Sequence, residues 1–337
     1  MTCIRYHEPT GTFLIIAIDS TARGPASGGT RAMTYENVGS AIADARRLAG
    51  AMTLKMAAAD LPMGGGKSVL ALPRPRHQLS ADEWKRILHF HAANLELLNG
   101  SYTTGPDVGT SSADMDVLGR TTKHVFGRST AQGGAGSSAE ATARGVHASI
   151  RAGLAETGRS SLAGTTVLVQ GLGAVGARLC ELLAEAGAEL LVTDVHPERC
   201  ASAVALGART VDPGRVTSIE CHVFAPCATG GLINSETART LPVAVVAGAA
   251  NNVLADAGAA HVLAEREIVY APDFVANSGG AIHLVGREVL GWTAETVSER
   301  TEAIEDTLRT IFADARTRGI TTEQAAIDLA HARLAAA

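Results

Sequence analysis

Short apolar runs alternate along this chain with segments in which apolar residues recur at helical spacing, which predicts an α/β protein. The run from Thr12 to Ile18 is rich in β-branched residues and predicts a buried strand. Apolar residues between Val38 and Met52 recur with helical periodicity and predict an amphipathic helix. Another helix is predicted to begin at Ser80, because Glu83 stands three residues later, as in a capping box.

The second half of the chain alternates strands and helices more regularly. A helix is predicted after another capping box, Ser137 with Glu140. After residue 158, predicted strands over 166–169 and 189–193 flank a predicted helix over 174–186, and further short apolar runs follow. This order is typical of a doubly wound parallel sheet.

The glycine-rich stretch 132–136 indicates a hinge between two domains. We expect a first domain over residues 1–136 and a second over 137–317. The C-terminal segment is helical, and its last part, about 318–337, is expected to return to the first domain.

Composition and charge exclude several classes of protein. Of the 337 residues, 46% are hydrophobic and 19% are charged, which excludes a disordered chain. The net charge of −5 gives no reason to expect a nucleic acid or a membrane as partner, and no apolar run approaches the roughly 18 residues of a membrane span. The five scattered cysteines indicate reduced thiols in a cytoplasmic protein and no metal site.

A dinucleotide site is predicted where Gly171, Gly173 and Gly176 follow a strand and open a helix. The backbone N–H groups at such a turn and at the helix start, which includes Ala174 and Val175, bind a pyrophosphate. Asp194, followed by Val195, ends the next predicted strand. Its carboxylate can accept hydrogen bonds from the two ribose hydroxyls and would repel a 2′-phosphate, which favours NAD over NADP.

Two lysines stand in apolar surroundings in the first half. Lys67 follows three glycines on what the sequence indicates is a flexible loop, but neither the first glycine nor the helix of a phosphate-binding loop is present. Lys55 precedes it by twelve residues. A lysine buried near a second cation has a lowered pKa and serves as a base. That both lysines simply lie on the surface, without a catalytic role, is an equally good interpretation. Asp107 lies in a segment bounded by Gly and Pro and, taken alone, indicates a turn.

Several uncommon motifs, in the same order, resemble the family of glutamate, leucine, valine and phenylalanine dehydrogenases over essentially the whole chain. They include Gly24-Pro-Ala-Ser-Gly-Gly-Thr-Arg31, Pro62-Met-Gly-Gly-Gly-Lys67, Asp107-Val-Gly-Thr110, Phe224-Ala-Pro-Cys227 and Ala271-Pro-Asp-Phe-Val-Ala-Asn277-Ser-Gly-Gly280. The segment from Ala271 to Trp292 looks most like the phenylalanine enzymes. The resemblance implies an α/β domain for substrate and oligomerisation, a Rossmann-type NAD domain, and a homo-oligomer.

The resemblance also implies roles for individual residues. Lys67 would activate water and Asp107 would move protons at the substrate nitrogen. The substrate would be bound by Lys55, Gly28, Gly29, Asn251 and Asn277. Besides the glycine-rich turn, NAD would be contacted by Ser138, Thr142, Ala228, Asn251, Asn252 and Asn277.

Departures from the family pattern indicate the substrate. Glutamate-specific relatives have a lysine and a serine where this chain has Ser27 and Leu284, so a second carboxylate would be costly to bury and an apolar amino acid is expected. The small Ser27 is expected to leave a deep pocket, which favours L-phenylalanine. Leucine or valine is the alternative substrate, and a non-catalytic sensor of amino acid and NAD is an alternative of another class.

Overall fold

The computed structural model describes all 337 residues, which form two compact units. The first unit comprises Met1–Ser137, Leu284–Trp292 and Ala330–Ala337, and the second comprises Ser138–His283 and Thr293–Leu329. None of the helices is long and apolar enough to cross a membrane.

Two segments depart from the domain limits expected from the sequence. Residues 284–292, expected in the second domain, group with the first unit, where Glu288 accepts hydrogen bonds from the backbone N–H groups of Gly127 and Ala135, both at 2.9 Å. The C-terminal segment of the first unit is residues 330–337, shorter than the expected 318–337. The reason is that Thr322 donates to the Tyr270 carbonyl of the second unit, whereas Arg333 donates to the Ala58 carbonyl of the first.

The first unit is a mixed five-stranded sheet with helices on both faces. Its elements are β1 (Thr2–His7), β2 (Thr12–Ser20), β3 (Ala26–Met33), α1 (Val38–Ala58), β4 (Gly64–Ala71), α2 (Ala81–Leu97), β5 (Tyr102–Pro106) and α3 (Ser112–Leu118). The strand order is β1-β2-β4-β3-β5; β2 is antiparallel to β1 and β4, and β3 is parallel to β4 and β5. All eight residues of the central strand β4 are buried.

The helices of the first unit cover the sheet with apolar faces. Ala41, Ala45 and Ala49 of α1 pack on one face, and α2 contributes Ile87 and Leu95 to a cluster on the other. The predicted capping box of α2 is confirmed, since the Glu83 N–H donates to Ser80 Oγ at 3.2 Å and the Ser80 N–H donates to Glu83 Oε2 at 2.9 Å.

The second unit contains a six-stranded parallel sheet, as the alternation of strands and helices predicted. Its strands are β6 (Thr166–Gln170), β7 (Glu189–Thr193), β8 (Arg209–Thr210), β9 (Val223–Pro226), β10 (Val245–Val246) and β11 (Val269–Tyr270), in the order β11-β10-β9-β6-β7-β8. The chain order therefore reverses between β6 and β9, and ligands bind at the carboxyl ends of strands at such a switch point.

Ten helices follow α3 along the chain. They are α4 (Ala139–Glu156), α5 (Ala174–Glu185), α6 (Cys200–Ala205), α7 (Ser235–Thr240), α8 (Gly258–Glu265), α9 (Asp273–Ala276), α10 (Gly279–Glu288), α11 (Ala294–Glu302), α12 (Ile304–Arg318) and α13 (Thr322–Ala335). The capping box expected for α4 is wrong: its N-cap is Ser138, which makes no side-chain cap bond, and Glu140 instead accepts from Arg144 and Arg178.

A buried polar network lies between the sheet of the first unit and α2. The hydroxyl oxygen of Thr30 is within hydrogen-bond distance of Ser68 Oγ (2.8 Å), Thr104 Oγ1 (2.7 Å) and His91 Nε2 (3.0 Å). The network joins β3, β4 and β5 to α2. His91 is fully buried, because its position on α2 faces the sheet.

We expect His91 to make the fold sensitive to acid. Burial lowers the pKa of His91 to about 4, whereas in the unfolded chain it is close to 6.5. Between these values the unfolded state binds more protons than the folded state, so stability falls as the pH decreases from 6.5 towards 4. Between pH 7 and pH 5, the free energy of unfolding should fall by roughly 2 kcal/mol more in the wild type than in His91→Gln.

Urea denaturation of both proteins at the two pH values measures this difference. Equal losses of stability in the wild type and His91→Gln would contradict the assignment of acid sensitivity to His91.

Candidate active site

Glycines in β3 and β4 allow these strands to pack against each other and against α1 at distances where a side chain would collide. A Cβ on Gly28 would lie 1.8 Å from the carbonyl oxygen of Gly66, and a Cβ on Gly65 would lie 2.1 Å from the backbone nitrogen of Thr53 in α1. Close packing therefore makes residues 64–67 part of a buried strand, and the expectation of a flexible loop around Lys67 is wrong.

Lys67 and Asp107 form a buried ion pair at the centre of this unit. Lys67 Nζ lies 2.6 Å from Asp107 Oδ2, and the Lys67 side chain is only 7% exposed. Lys67 lies in β4, while Asp107 follows directly after β5. The structure thus brings together the two residues that the sequence analysis named as catalytic.

The surroundings of the pair shift both pKa values. Burial lowers the pKa of Lys67 below its ordinary value and Arg31 lowers it further, although Asp107 acts in the opposite direction. Burial alone would raise the pKa of Asp107, but the positive charges of Lys67 and Arg31 outweigh it and lower that pKa. Asp107 is therefore ionised at neutral pH, and Lys67 loses its proton more readily than an exposed lysine.

The loop that carries Asp107 is attached to β3. The Asp107 N–H donates to Thr110 Oγ1 at 3.0 Å, and the Thr110 hydroxyl donates to the Thr30 carbonyl at 2.8 Å. Gly109 has a φ of +81°, and a Cβ there would lie 2.0 Å from the Ala32 carbonyl oxygen, so only glycine fits. These contacts hold the carboxylate beside Lys67.

Arg31 is a site residue that the sequence analysis did not single out, although it ends one of the quoted motifs. Its Nε donates to Asp107 Oδ2 at 3.2 Å, and its Nη1 donates to Asp44 Oδ2 at 3.1 Å. One carboxylate oxygen of Asp107 therefore faces two cations. The sequence shows Arg31 only as the charged residue that ends this motif, four residues after Ser27. Nothing in the sequence indicated that Asp107 and Asp44 are its partners.

The other predicted site residues of the first unit, Lys55, Gly28, Gly29 and Leu284, do not belong to the Lys67–Asp107 ion pair. Lys55 is half-buried on α1, three residues after Met52, whose Cγ lies 3.3 Å from the Cβ position of Gly28. A Cβ on Gly29 would lie 2.8 Å from Asp107 Cβ. Leu284 Cδ1 lies 3.8 Å from the Cβ position of Gly127.

Ser27, by contrast, is fully buried and its hydroxyl oxygen has no hydrogen-bond partner. Solvent does not reach the Ser27 side chain, so it does not line an open pocket, in contrast to the deep pocket expected there.

In the second unit, the turn after β6 forms a cradle for a phosphate group. Gly171 has a φ of +94°, and a Cβ there would lie 2.6 Å from Ala228 Cβ. A Cβ on Gly176 would lie 1.9 Å from the Gly171 carbonyl oxygen, whereas nothing lies within 4 Å of one on Gly173. The space above Gly173 and the start of α5, with Ala174 and Val175, fits a pyrophosphate.

Asp194 holds this turn in place. Its Oδ2 accepts the Leu172 N–H at 2.7 Å, and its Oδ1 accepts the His196 N–H at 2.9 Å. Burial acts to raise the pKa of Asp194, but these two N–H groups and Arg199, at 3.7 Å, lower it. The neighbouring Val195 is 79% exposed. Asp194 is thus an ionised carboxylate at the end of β7, as a ribose-binding residue must be.

Two groups of candidate residues lie together elsewhere in the second unit. Asn277 donates through Nδ2 to Asn251 Oδ1 at 2.9 Å, and its own Oδ1 is buried without a hydrogen-bond partner. A Cβ on Gly280 would lie 2.7 Å from Thr142 Oγ1 and 3.4 Å from Ser138 Oγ. The unpartnered oxygen of Asn277 and the cradle at Gly173 are the features that fit a bound dinucleotide.

Asn252 adopts a φ of +53°, and its carbonyl oxygen lies 2.5 Å from the Cβ position of Gly230. The backbone at Asn252 is therefore in close contact with the segment that follows Ala228.

Comparisons with known proteins cover almost the whole chain. The family model described as "Glu/Leu/Phe/Val dehydrogenase, dimerisation domain" matches residues 12–124, and the one described as "Glutamate/Leucine/Phenylalanine/Valine dehydrogenase" matches residues 133–196 and 192–337. A leucine dehydrogenase of Geobacillus stearothermophilus is 42% identical over 329 residues, which are 97% of this chain and 88% of that protein.

A valine dehydrogenase of Streptomyces albus is 41% identical over 336 residues, 97% of this chain and 90% of that protein. The crystal structure of L-tryptophan dehydrogenase from Nostoc punctiforme matches with a TM-score of 0.84 and 35% identity, over 99% of this chain and 95% of that one.

Proposed function

Since this chain belongs to the Glu/Leu/Phe/Val dehydrogenase family, we propose that its substrate is a branched aliphatic L-amino acid, leucine or valine. Family membership makes the chain an amino-acid dehydrogenase that uses NAD.

The choice of an aliphatic substrate replaces the phenylalanine that the sequence favoured. The relatives reported above are named for leucine, valine and tryptophan, and the phenylalanine assignment finds no support among them. The argument for an aromatic substrate also rested on a pocket beside Ser27, which is fully buried. With Leu284 where glutamate-specific relatives have a serine, an apolar side chain remains the expectation.

The observation that carries the proposed chemistry is the contact of 2.6 Å between Lys67 Nζ and Asp107 Oδ2. Bound NAD would supply a hydride acceptor for the α carbon of the amino acid, whose oxidation gives an imino acid. We assign to neutral Lys67 the removal of a proton from the water that attacks the imino carbon. Asp107 would carry protons to and from the substrate nitrogen, and the products are a 2-oxo acid and ammonia.

The remaining residues bind and orient. Lys55 supplies a positive charge for the substrate carboxylate, with the backbone around Gly28 and Gly29 beside it. In the second unit, we assign the dinucleotide to the turn at Gly171–Gly176, to Asp194 and to the buried oxygen of Asn277.

We also propose that the chain forms a homo-oligomer through its first unit. Residues 12–124 match a family model described as a dimerisation domain. In addition, β1 is an edge strand, on which Ile4 is 45% and Tyr6 is 51% exposed.

A panel of substrates tests the proposed function. Formation of NADH is followed with leucine, valine, phenylalanine, tryptophan and glutamate. We expect the highest kcat/KM with leucine or valine and no turnover of glutamate, because Ser27 and Leu284 stand where glutamate-specific relatives have the lysine and serine that bind a second carboxylate. Preferential turnover of phenylalanine or tryptophan would overturn the aliphatic assignment, and turnover of glutamate would overturn the apolar one.

The two lysines should fail differently when they are replaced. Lys67→Ala removes the proposed base, so kcat should fall by about 10²- to 10⁴-fold. Lys55→Ala removes the partner of the substrate carboxylate, a loss of about 1.5–3 kcal/mol, so KM for the amino acid should rise by about tenfold or more. Steady-state kinetics of both variants measure the two effects.

Lys85→Ala is the matched control, because Lys85 is an exposed lysine on α2. Its kcat and KM should equal those of the wild type. If Lys67→Ala kept a normal kcat and only raised KM, Lys67 would bind substrate and would not be the base.

A further inference from the structure

Arg31 lies between two carboxylates and connects the catalytic pair to α1. Its Nε is 3.2 Å from Asp107 Oδ2 and its Nη1 is 3.1 Å from Asp44 Oδ2. The side chains of Arg31, Asp107 and Asp44 are 20%, 21% and 16% exposed. Charges that are this close and this shielded from water interact more strongly than charges on an open surface.

We propose that Arg31, held by Asp44, is a positioning residue that shares Asp107 Oδ2 with Lys67 and thereby weakens the hold of Asp107 on the Lys67 ammonium group. This inference rests on the proposed role of Lys67 as the base. Arg31 does not act on the substrate itself; it acts through Asp107.

Lys67 and Arg31 share one oxygen atom of the Asp107 carboxylate. Asp107 Oδ2 accepts from Lys67 at 2.6 Å and from Arg31 at 3.2 Å. With Lys67 as its only partner, the Asp107 carboxylate would stabilise the protonated form of that lysine strongly. A second, permanent cation on the same oxygen offsets part of this attraction, because arginine does not lose its proton. Lys67 is then freer to become neutral.

Asp44 limits the effect of Arg31 and fixes its position. Its Oδ2 also accepts from the Tyr35 hydroxyl at 2.8 Å, and its Oδ1 accepts from Arg47 at 2.7 Å. Because α1 carries Asp44, the helix holds the guanidinium group in place. The negative charge of Asp44 compensates Arg31, so Arg31 and Asp44 have opposite effects on Lys67.

Other elements packed against β4 also carry charged groups. These groups are Asp19 at the end of β2 and Arg46, Arg47 and Lys55 on α1, in addition to Arg31, Asp44 and Asp107. Asp19 accepts from the Thr53 hydroxyl at 2.6 Å. Asp19, Arg46 and Lys55 stay unchanged in every variant below, so differences between the variants report Arg31 and Asp44, with Arg47 as the control.

The composition of the chain makes a direct measurement practical. Only four of its 29 basic residues are lysines: Lys55, Lys67, Lys85 and Lys123. Protein labelled with ¹³C-lysine therefore gives four Cε signals, and the signal of Lys67 is assigned from the spectrum of Lys67→Ala. Titration of that signal measures the pKa of Lys67 without substrate or turnover.

We expect opposite changes in two variants. Arg31→Met keeps an extended side chain but removes the charge, so the Lys67 pKa should rise. Asp44→Asn keeps an acceptor oxygen but leaves Asp107 as the only anionic partner of Arg31, so the Lys67 pKa should fall. The matched control is Arg47→Met, which removes an exposed cation that pairs with the other oxygen of Asp44 and does not pair with Asp107, and which should change the titration least.

Activity should follow the titration. The ascending limb of the pH profile of kcat/KM should move up in pH for Arg31→Met, and a shift of one unit would make kcat/KM at pH 7 about tenfold lower, with recovery at higher pH. A purely structural role would lower activity at every pH and would not move the limb.

A raised Lys67 pKa in Arg31→Met together with a lowered one in Asp44→Asn supports the proposal, and shifts in the reverse directions overturn it. Shifts in the same direction, or no shift in folded protein, overturn it. If Arg31→Met does not fold, Asp44→Asn decides, because a raised or unchanged pKa there contradicts the account. The titration needs no substrate. If none of the amino acids in the substrate panel were turned over, the proposed function would be refuted, but the effect of Arg31 on the Lys67 pKa would still be tested by the titration.

Discussion

The structure of the first unit depends on placing an ion pair inside a sheet. Burying a charged lysine in a central strand is costly unless an opposite charge lies close to it. The Asp107 carboxylate supplies that charge, with its Oδ2 atom 2.6 Å from Lys67 Nζ. The glycines of β3 and β4 allow the neighbouring strands and α1 to approach this closely. The loop after β5, attached to β3 through Thr110, then keeps the carboxylate in place.

The two faces of the sheet differ in chemistry. Towards α2, the network around Thr30 is made of neutral groups, and His91 stays neutral because burial lowers its pKa to about 4. The charged groups belong to the network that Arg31 forms with Asp44 of α1 and with Asp107. We infer that the neutral network fixes the strands while the charged network sets the protonation of Lys67.

The sequence predicted those features that depend on local patterns. The capping box at Ser80, the parallel sheet of the second unit and the glycine-rich turn at Gly171 each follow from residues close together in the chain. What depends on packing between distant segments was not predictable. The strand around Lys67 looked like a loop because its glycines serve contacts with Thr53 and Tyr102, and burial of Ser27 follows from its place in β3.

The central claim is that Lys67 acts as a base from inside the sheet. Restoring the activity of Lys67→Ala with added methylamine tests it most directly, because a small amine can occupy the space that the side chain leaves. In the deamination direction, the account predicts that turnover returns in proportion to the concentration of neutral methylamine as pH and total amine are varied. Rescue in proportion to methylammonium ion would contradict it, since a cation alone would then suffice, as would the absence of rescue in folded protein.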